Sequence, residues 1–276
     1  MVLLCKLCRV KTRHAFPVAA NCAAILSAML CAGGAATVST NSFSDAFVAT
    51  GPGGNLSTNN YGGGGALALA ASGLPLGEFQ SVLQFHLSGA RSSFDAQFGA
   101  GLWTVQSVTL QLTASPHNNA IYNEIAAGQF NISSMQNNSW VEGTGTASLP
   151  TTDGISFNSL QSTYINNATD EPLGAFSFAG GSSGANTYTL NLTSGLIADV
   201  LAGNDLSLRL YGADNVVSYL FSSRANASSA NRPTLIVSAI PEPGSLALSA
   251  TGLVMFAIWR RCSRQGSALW RSHFAR

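Results

Sequence analysis

Side chains that could carry out chemistry are few in the central part of the chain. Between residues 37 and 239 there are two histidines, His86 and His117, and no cysteine. Nucleophilic catalysis needs a nucleophile, a base and an orienting group within hydrogen-bond reach of one another. His86 falls on the polar face of a predicted strand and His117 lies in a Pro-His-Asn-Asn loop, so both are typical of surface histidines.

The acidic residues do not form a recognisable glycosidase pair. Asp170 and Glu171 are adjacent in sequence, whereas the carboxyl groups of a glycosidase face each other about 5–10 Å apart across the scissile bond. Glu142 and Asp153 lie elsewhere in the chain, and no spacing pairs them with Asp170. The sequence therefore favours a non-catalytic protein, with an enzyme acting on polysaccharide as the alternative.

Metal binding has equally little support. Calcium needs clustered oxygen ligands, often Asp side chains together with backbone carbonyls. Asp45, Asp205 and Asp214 are available, but they have no D-x-D-x-D spacing. We expect no metal site and no cofactor, and a structural calcium ion is an unsupported alternative.

Aromatic side chains could bind a sugar, because sugar rings present C–H faces and hydroxyl edges. Tyr211 is the strongest candidate platform, since it lies on the polar side of a predicted strand beside Arg209. Trp103 and Trp140 are further candidates, and for Trp140 packing in the core is the favoured alternative. The other available rings are Tyr61, Tyr122 and Tyr164. Trp140-Val141-Glu142 also has a structural interpretation, in which the carboxylate pairs with Arg224 or Arg232.

These residues must be positioned by short strands. Apolar and polar residues alternate in Ser81–Leu87 and Thr104–Thr113, as a half-buried strand requires. The segment 89–103 is predicted as a loop or short helix, and Ser194–Leu201 is the one segment that looks helical, with Ser194 as N-cap. Many short strands separated by turn residues predict an all-β sandwich. The remaining predicted strands are 45–49, 66–71, 128–133, 187–192, 206–211, 216–222 and 234–237.

Basic residues and cysteines are concentrated at the two ends of the chain. The region 37–239 contains four arginines, no lysine and eleven acidic residues, a net charge of −7. An acidic body without a basic stripe excludes nucleic acid as an expected partner. All five cysteines lie outside this region, so it contains no disulfide framework.

The first 36 residues are predicted to be a signal peptide for the Sec export machinery. Basic residues from Lys6 to Arg13 precede an apolar, alanine-rich stretch, and small residues at 33–36 follow it. Cleavage is expected after about Ala36, within a few residues.

The C-terminal region begins with Pro241, Glu242 and Pro243, which disfavour a helix. Residues 246–259 are uncharged, and together with Gly244 and Ser245 they span roughly 24 Å as a helix, a little less than a bilayer core of roughly 30 Å. Positive charges then follow, as expected of a cytoplasmic flank of a transmembrane helix. These charges are Arg260, Arg261 and Arg264.

This arrangement resembles the PEP-CTERM sorting signal of Gram-negative bacteria, which has a Pro-Glu-Pro motif, an apolar helix containing Gly-Leu (here Gly252-Leu253) and an Arg-rich end. The resemblance covers residues 240–264 and implies processing near Pro241–Pro243 by an exosortase, a membrane-embedded cysteine protease-transpeptidase. It also implies transient anchoring in the inner membrane before delivery to the cell surface or extracellular matrix. Residues 265–276 form an additional basic tail.

The body is residues 37–239, and over about residues 43–238 it resembles the DNRLRE-type domain, a jelly-roll module of exported microbial proteins. The matching segments are residues 81–87, 108–112, 139–143, 206–210, 221–224 and 231–237. The resemblance implies a jelly-roll-like sandwich and a structural or polysaccharide-associated role. A self-assembling adhesin or coat protein is a further alternative.

Overall fold

The computed structural model describes residues 34–115, 119–180 and 184–242. The chain divides into two compact units, and the architecture below belongs to one of them, Ala35–Ile240. Predictions for the signal peptide, Pro243, the apolar C-terminal helix, its arginines and His117 lie outside the described residues. Within the described ranges, no helix is both long and apolar enough to cross a membrane.

Short strands dominate the described residues, with two helices longer than one turn. Both helices, α1 and α2, are brief, and isolated helical turns occupy Pro52–Gly54, Phe157–Ser159, Leu160–Tyr164 and Ser229–Asn231. The elements in chain order are β1 (Ala36–Asn41), β2 (Ser44–Ala49), β3 (Ala66–Ala70), β4 (Phe79–His86), α1 (Ser88–Phe98), β5 (Trp103–Thr113), β6 (Gly128–Met135), β7 (Glu171–Phe178), β8 (Ala185–Leu190), α2 (Ser194–Ala202), β9 (Asp205–Gly212), β10 (Ser218–Ser222) and β11 (Thr234–Pro241).

The strands form two antiparallel sheets that share one core. The smaller sheet has the order β1-β11-β5-β8, and the larger has the order β10-β3-β4-β9-β6-β7, with β2 paired to β4. Leu83 and Leu208 are register partners in the larger sheet, and they belong to the same buried cluster as Leu110 and Val237 of the smaller sheet. This arrangement is a β-sandwich, which confirms the prediction of an all-β protein.

The larger sheet is buried on both faces over β2, β3 and β4. The alternation in Ser81–Leu87 predicted a half-buried strand, but Val82 and Gln84 are as buried as Leu83 and only His86 is exposed. At β2 and β4 the reason is that residues 136–165, which we call the covering segment, pack on the outer face of this sheet. Trp140 of this segment lies against Val82 and donates a hydrogen bond from its Nε1 to Ser207 Oγ at 3.0 Å.

The two helical predictions have different outcomes. The segment 89–103, predicted as a loop or short helix, contains a short helix, α1 (Ser88–Phe98); its serines and a glycine weaken the helical pattern, and the burial of Ala90 and Phe94 supplies the stability. The N-cap of α2 is Thr193 rather than Ser194, because the Thr193 hydroxyl accepts the Leu196 N–H.

Two strands are missing from the predicted set. In β7, Pro172 and Gly174 obscure the strand pattern, and the strand tolerates them because it pairs only with β6 at the edge of its sheet. β1 begins at Ala36, the residue after which signal cleavage is expected, and Ala36 pairs with Ala239 of β11.

The buried side chain of Asn60 joins the covering segment to the rest of the unit. Its Nδ2 donates to the carbonyl oxygens of Glu142 (2.6 Å) and Ile155 (2.8 Å), and its Oδ1 accepts the N–H groups of Gly62 (3.2 Å) and Gly145 (3.1 Å). The backbone of Asn60 also donates to the Thr151 carbonyl at 2.7 Å. Since Asn60 is 0% exposed, no solvent can replace these partners.

Replacing Asn60 should therefore destabilise the fold strongly. Asn60→Ala leaves two carbonyls and two N–H groups without their buried partner, and we expect it to lower the free energy of unfolding by about 3–5 kcal/mol. Asn158→Ala, at an exposed position of a helical turn, is the matched control and should change it by less than about 0.5 kcal/mol. Urea unfolding measures both, and equal effects would contradict this role of Asn60.

Candidate functional site

Tyr211 lies on the outer face of the larger sheet, beyond the part that the covering segment buries. Its register partner on β6 is Asn131, and both side chains are half-buried. Neighbouring positions of β7, including Ala175 opposite Asn131, are exposed. The outer face of β9, β6 and β7 is thus open around Tyr211.

Arg209 lies over the Tyr211 ring, with its guanidinium carbon 4.2 Å from the ring centroid. Its Nε donates to Gln80 Oε1 at 2.7 Å. None of the ion pairs among the described residues includes Arg209. Burial lowers the pKa of Arg209, and the nearby Tyr211, Glu78 and Asp170 oppose this shift. The side chain remains charged, so its N–H groups can donate to a bound hydroxyl or carboxylate.

The two tryptophans proposed as platforms are not at the surface. Trp103 and Trp140 are each 3% exposed. Trp103 packs against Phe94, with ring centroids 5.0 Å apart, and its Nε1 donates to Asp95 Oδ1 at 2.8 Å. The indole of Trp140 is buried between the covering segment and the larger sheet. Neither ring presents a face to a ligand, so Trp103 is corrected to a packing residue, and Trp140 has the packing role that was its favoured interpretation.

Of the other three tyrosines considered as platforms, two are buried and one is partly exposed. Tyr61 and Tyr122 are each 1% exposed and belong to a second buried cluster with Phe47 and Phe79. Tyr164 is half-buried and lines a groove.

Arg224 and Glu142 form an ion pair that fastens the covering segment to the loop after β10. Arg224 Nη2 lies 2.7 Å from Glu142 Oε2, and Arg224 Nε donates to the same oxygen at 2.7 Å. Of the two arginine partners considered for Glu142, the structure has Arg224; Arg232 instead donates from Nε to the Asn226 carbonyl. The buried Asp45 lies beside this pair and accepts the Arg224 backbone N–H at 2.6 Å.

Asp45 has a titration behaviour that would suit an acid catalyst, but no access to substrate. Burial raises its pKa to about 7, against the effect of the hydrogen bond from the Arg224 backbone, and the negative charge of Glu142 raises it further. The residue is only 1% exposed and its Oδ2 is occupied by Arg224 and Ser42. We therefore assign it to the fold.

His86 and Asp205 form an exposed pair at the ends of β4 and β9. His86 Nδ1 lies 2.6 Å from Asp205 Oδ1, and Phe43 stacks on the imidazole with ring centroids 3.6 Å apart. Both contacts fix the ring, and neither is made with a hydroxyl or thiol. The geometry therefore gives no nucleophile to the pair.

The other candidate carboxylates hold loops in place. Asp170 accepts the backbone N–H groups of Gln136 and Asn166. Glu171 accepts the Gly195 N–H at the start of α2. Asp153 accepts two hydrogen bonds from Thr144, and the Thr144 hydroxyl is the main cause that lowers its pKa to about 2.

The three aspartates considered for calcium do not converge. Asp45 contacts Arg224, Asp205 contacts His86, and Asp214 accepts the backbone N–H groups of Val216 and Val217. Among residues 34–115, 119–180 and 184–242, no group of three or more His, Cys, Asp or Glu side chains is arranged to hold a metal ion.

Comparisons with known proteins add no family assignment. No protein-family model matches the chain, and no curated protein has a significantly similar sequence.

The buried Asp45 should make stability depend on pH. The folded protein keeps this carboxyl protonated up to pH about 7, whereas the unfolded chain loses the proton near pH 4. Its contribution to stability is therefore fully present below pH 4 and is lost as the pH rises to 7, by an amount of the order of a few kcal/mol. Asn cannot ionise, so Asp45→Asn should flatten this decline.

Urea unfolding between pH 4 and pH 8, followed by near-ultraviolet circular dichroism, measures this effect. Glu124→Gln changes a half-buried carboxyl elsewhere in the unit and serves as the control. A decline that is as steep in Asp45→Asn as in the unchanged protein would refute the assignment.

Proposed function

We propose that the chain is an exported bacterial surface or matrix protein with a non-catalytic, polysaccharide-associated role. In this proposal the β-sandwich is a jelly-roll-like domain of the DNRLRE type. Sec exports the chain, the C-terminal helix holds it transiently in the inner membrane, and an exosortase processes it near Pro241–Pro243. The body then acts at the cell surface or in the matrix.

The observation that carries the binding role is the position of Tyr211 and Arg209 on the open outer face of the larger sheet. The half-buried Arg209 is held by an amide and an aromatic ring, and it belongs to none of the ion pairs among the described residues. Its planar N–H fork can donate two parallel hydrogen bonds to a glycan, while the ring beside it supplies apolar surface. The half-buried Asn131 adds a further amide.

The acidic body and the arrangement of its carboxylates support a non-catalytic role over the polysaccharide-degrading alternative. Asp170, Glu171 and Asp153 accept hydrogen bonds from nearby loops, and Asp45 is shielded from solvent. A glycosidase would need two accessible carboxyl groups across one cleft.

Loss of the Tyr211 ring should weaken retention on polysaccharide. We expect Tyr211→Ala to reduce binding of the protein to matrix polysaccharide from a producing cell by about tenfold, since stacking and hydrogen bonding are removed together. Tyr211→Phe, which keeps the ring and the Arg209 contact, is the matched control and should retain most binding. Co-sedimentation with the insoluble polysaccharide measures the difference, and equal retention of Tyr211→Ala and the unchanged protein would remove this surface from the proposal.

The sorting motif should be required for processing. Replacing Pro241, Glu242 and Pro243 with alanine removes the proline restraints that keep the site extended. We expect the precursor to accumulate in the membrane fraction, whereas the unchanged chain yields a product shortened at its C-terminal end. Mass spectrometry of intact protein from membranes and medium reads this out, and normal shortening of the alanine variant would refute exosortase processing at this motif.

A further inference from the structure

A groove separate from the Tyr211 surface lies where the start of the covering segment meets the residues that lead into β7. The groove has a volume of about 430 Å³ and is bounded by residues 136–139 on one side and by Thr163, Tyr164, Asn166 and Thr169 on the other. Its size falls within the roughly 300–1,000 Å³ that is usual for small-molecule sites. It shares no lining residue with the Tyr211 surface.

The lining of the groove is uncharged throughout. Every lining side chain is an amide, a hydroxyl or, at Tyr164, a phenol. Such a set offers donors and acceptors together with one aromatic ring, and it offers no counter-ion for a charged ligand. Because the body carries a net charge of −7, an anionic ligand would also meet an unfavourable field.

The walls of the groove are held in place before any ligand arrives. Asp170 joins them, since its Oδ1 accepts the Gln136 N–H at 3.0 Å and its Oδ2 accepts the Asn166 N–H at 2.9 Å. Asn137 Oδ1 accepts the Ser139 N–H, and Asn166 Oδ1 accepts the Ala168 N–H. Binding to preformed walls avoids much of the entropy cost of ordering loops.

Several polar groups of the groove have unused hydrogen-bonding capacity. The side-chain amide of Gln136, Nδ2 of Asn166 and the hydroxyl of Tyr164 have no hydrogen-bond partner among the described residues. Gln136 and Asn166 are exposed, and Tyr164 is half-buried against the cluster that contains Trp140 and Leu160. These groups lie on both walls, so one ligand can contact donors, an acceptor and an aromatic ring together.

From this combination we infer that the groove between residues 136–139 and 163–169 is a binding site for an uncharged glycosyl unit. The amides meet the hydroxyl groups of the sugar, and Tyr164 contacts its C–H face. This site is separate from the proposed Tyr211 surface, and it does not depend on the activity assigned to that surface.

The test uses the full chain with defined probes, namely neutral gluco-oligosaccharides of α-1,4, β-1,4 and β-1,3 linkage and, as the charged comparison, oligogalacturonate. Saturation-transfer NMR identifies binding and isothermal titration calorimetry measures affinity. We expect at least one neutral probe to bind, and oligogalacturonate to bind at least about tenfold more weakly.

Two substitutions at exposed positions test the groove without disturbing the core. Asn166→Asp keeps the oxygen that accepts the Ala168 N–H and removes the Nδ2 donor, and Gln136→Ala removes the opposite amide. Each should lower affinity for the neutral probe about fivefold or more. Gln97→Ala, exposed on α1 and outside both the groove and the Tyr211 surface, is the control and should leave affinity unchanged.

The inference is overturned if no neutral probe binds, if oligogalacturonate binds as tightly, or if both groove variants bind like the control. Failure of this site and failure of the Tyr211 surface are distinguishable. Binding of the defined oligosaccharides depends on Asn166 and Gln136, whereas retention on matrix polysaccharide is scored with the Tyr211 variants.

Discussion

The buried amide of Asn60 is the interaction on which the outer layer of the sandwich depends. An amide is the one uncharged side chain that can donate to two carbonyls and accept from N–H groups at the same time. At Asn60 both functions are used, with carbonyls of Glu142 and Ile155 on one side and N–H groups of Gly62 and Gly145 on the other. Because these partners belong to two distant parts of the chain, the contact converts an irregular stretch into a fixed layer on the larger sheet.

The covering segment in turn explains why the polar outer face of the larger sheet is buried without loss of stability. Gln84 and Ser207 would be costly to bury alone, but Gln84 Nε2 donates to the Asn138 carbonyl and Ser207 Oγ accepts the Trp140 Nε1–H. The Glu142–Arg224 pair fastens the same layer at a second point, and it leaves Asp45 beside two charges in a dry environment. The raised pKa of Asp45 is therefore a consequence of covering the sheet.

Most of the sheet was predictable from the sequence, because alternation of apolar residues directly reports one buried face. The leucines of β9 and the Val108, Leu110 and Leu112 series of β5 follow this rule. The covering segment was not predictable, since its fixed shape comes from side-chain bonds such as those of Asn60 and Asp170 rather than from periodicity. The same missing information explains why the sequence left a platform role open for Trp140: the alternation of residues along a strand says nothing about a loop that lies on top of the sheet.

The two candidate sites also differ in how far the sequence predicts them. The sequence identified Tyr211 as a candidate platform because it lies on a regular strand, where the alternation of side chains places it on the outer face beside Arg209. The groove lined by Tyr164 lies between two irregular segments, and only the density of Asn, Gln, Ser and Thr around residues 136–139 and 163–169 hints at it in the sequence. Both surfaces exist because the covering segment ends where it does: its first residues form one wall of the groove, and beyond it the outer face of β9 is open. The layer that buries Gln84 and Ser207 therefore also forms the preformed polar groove at its edge.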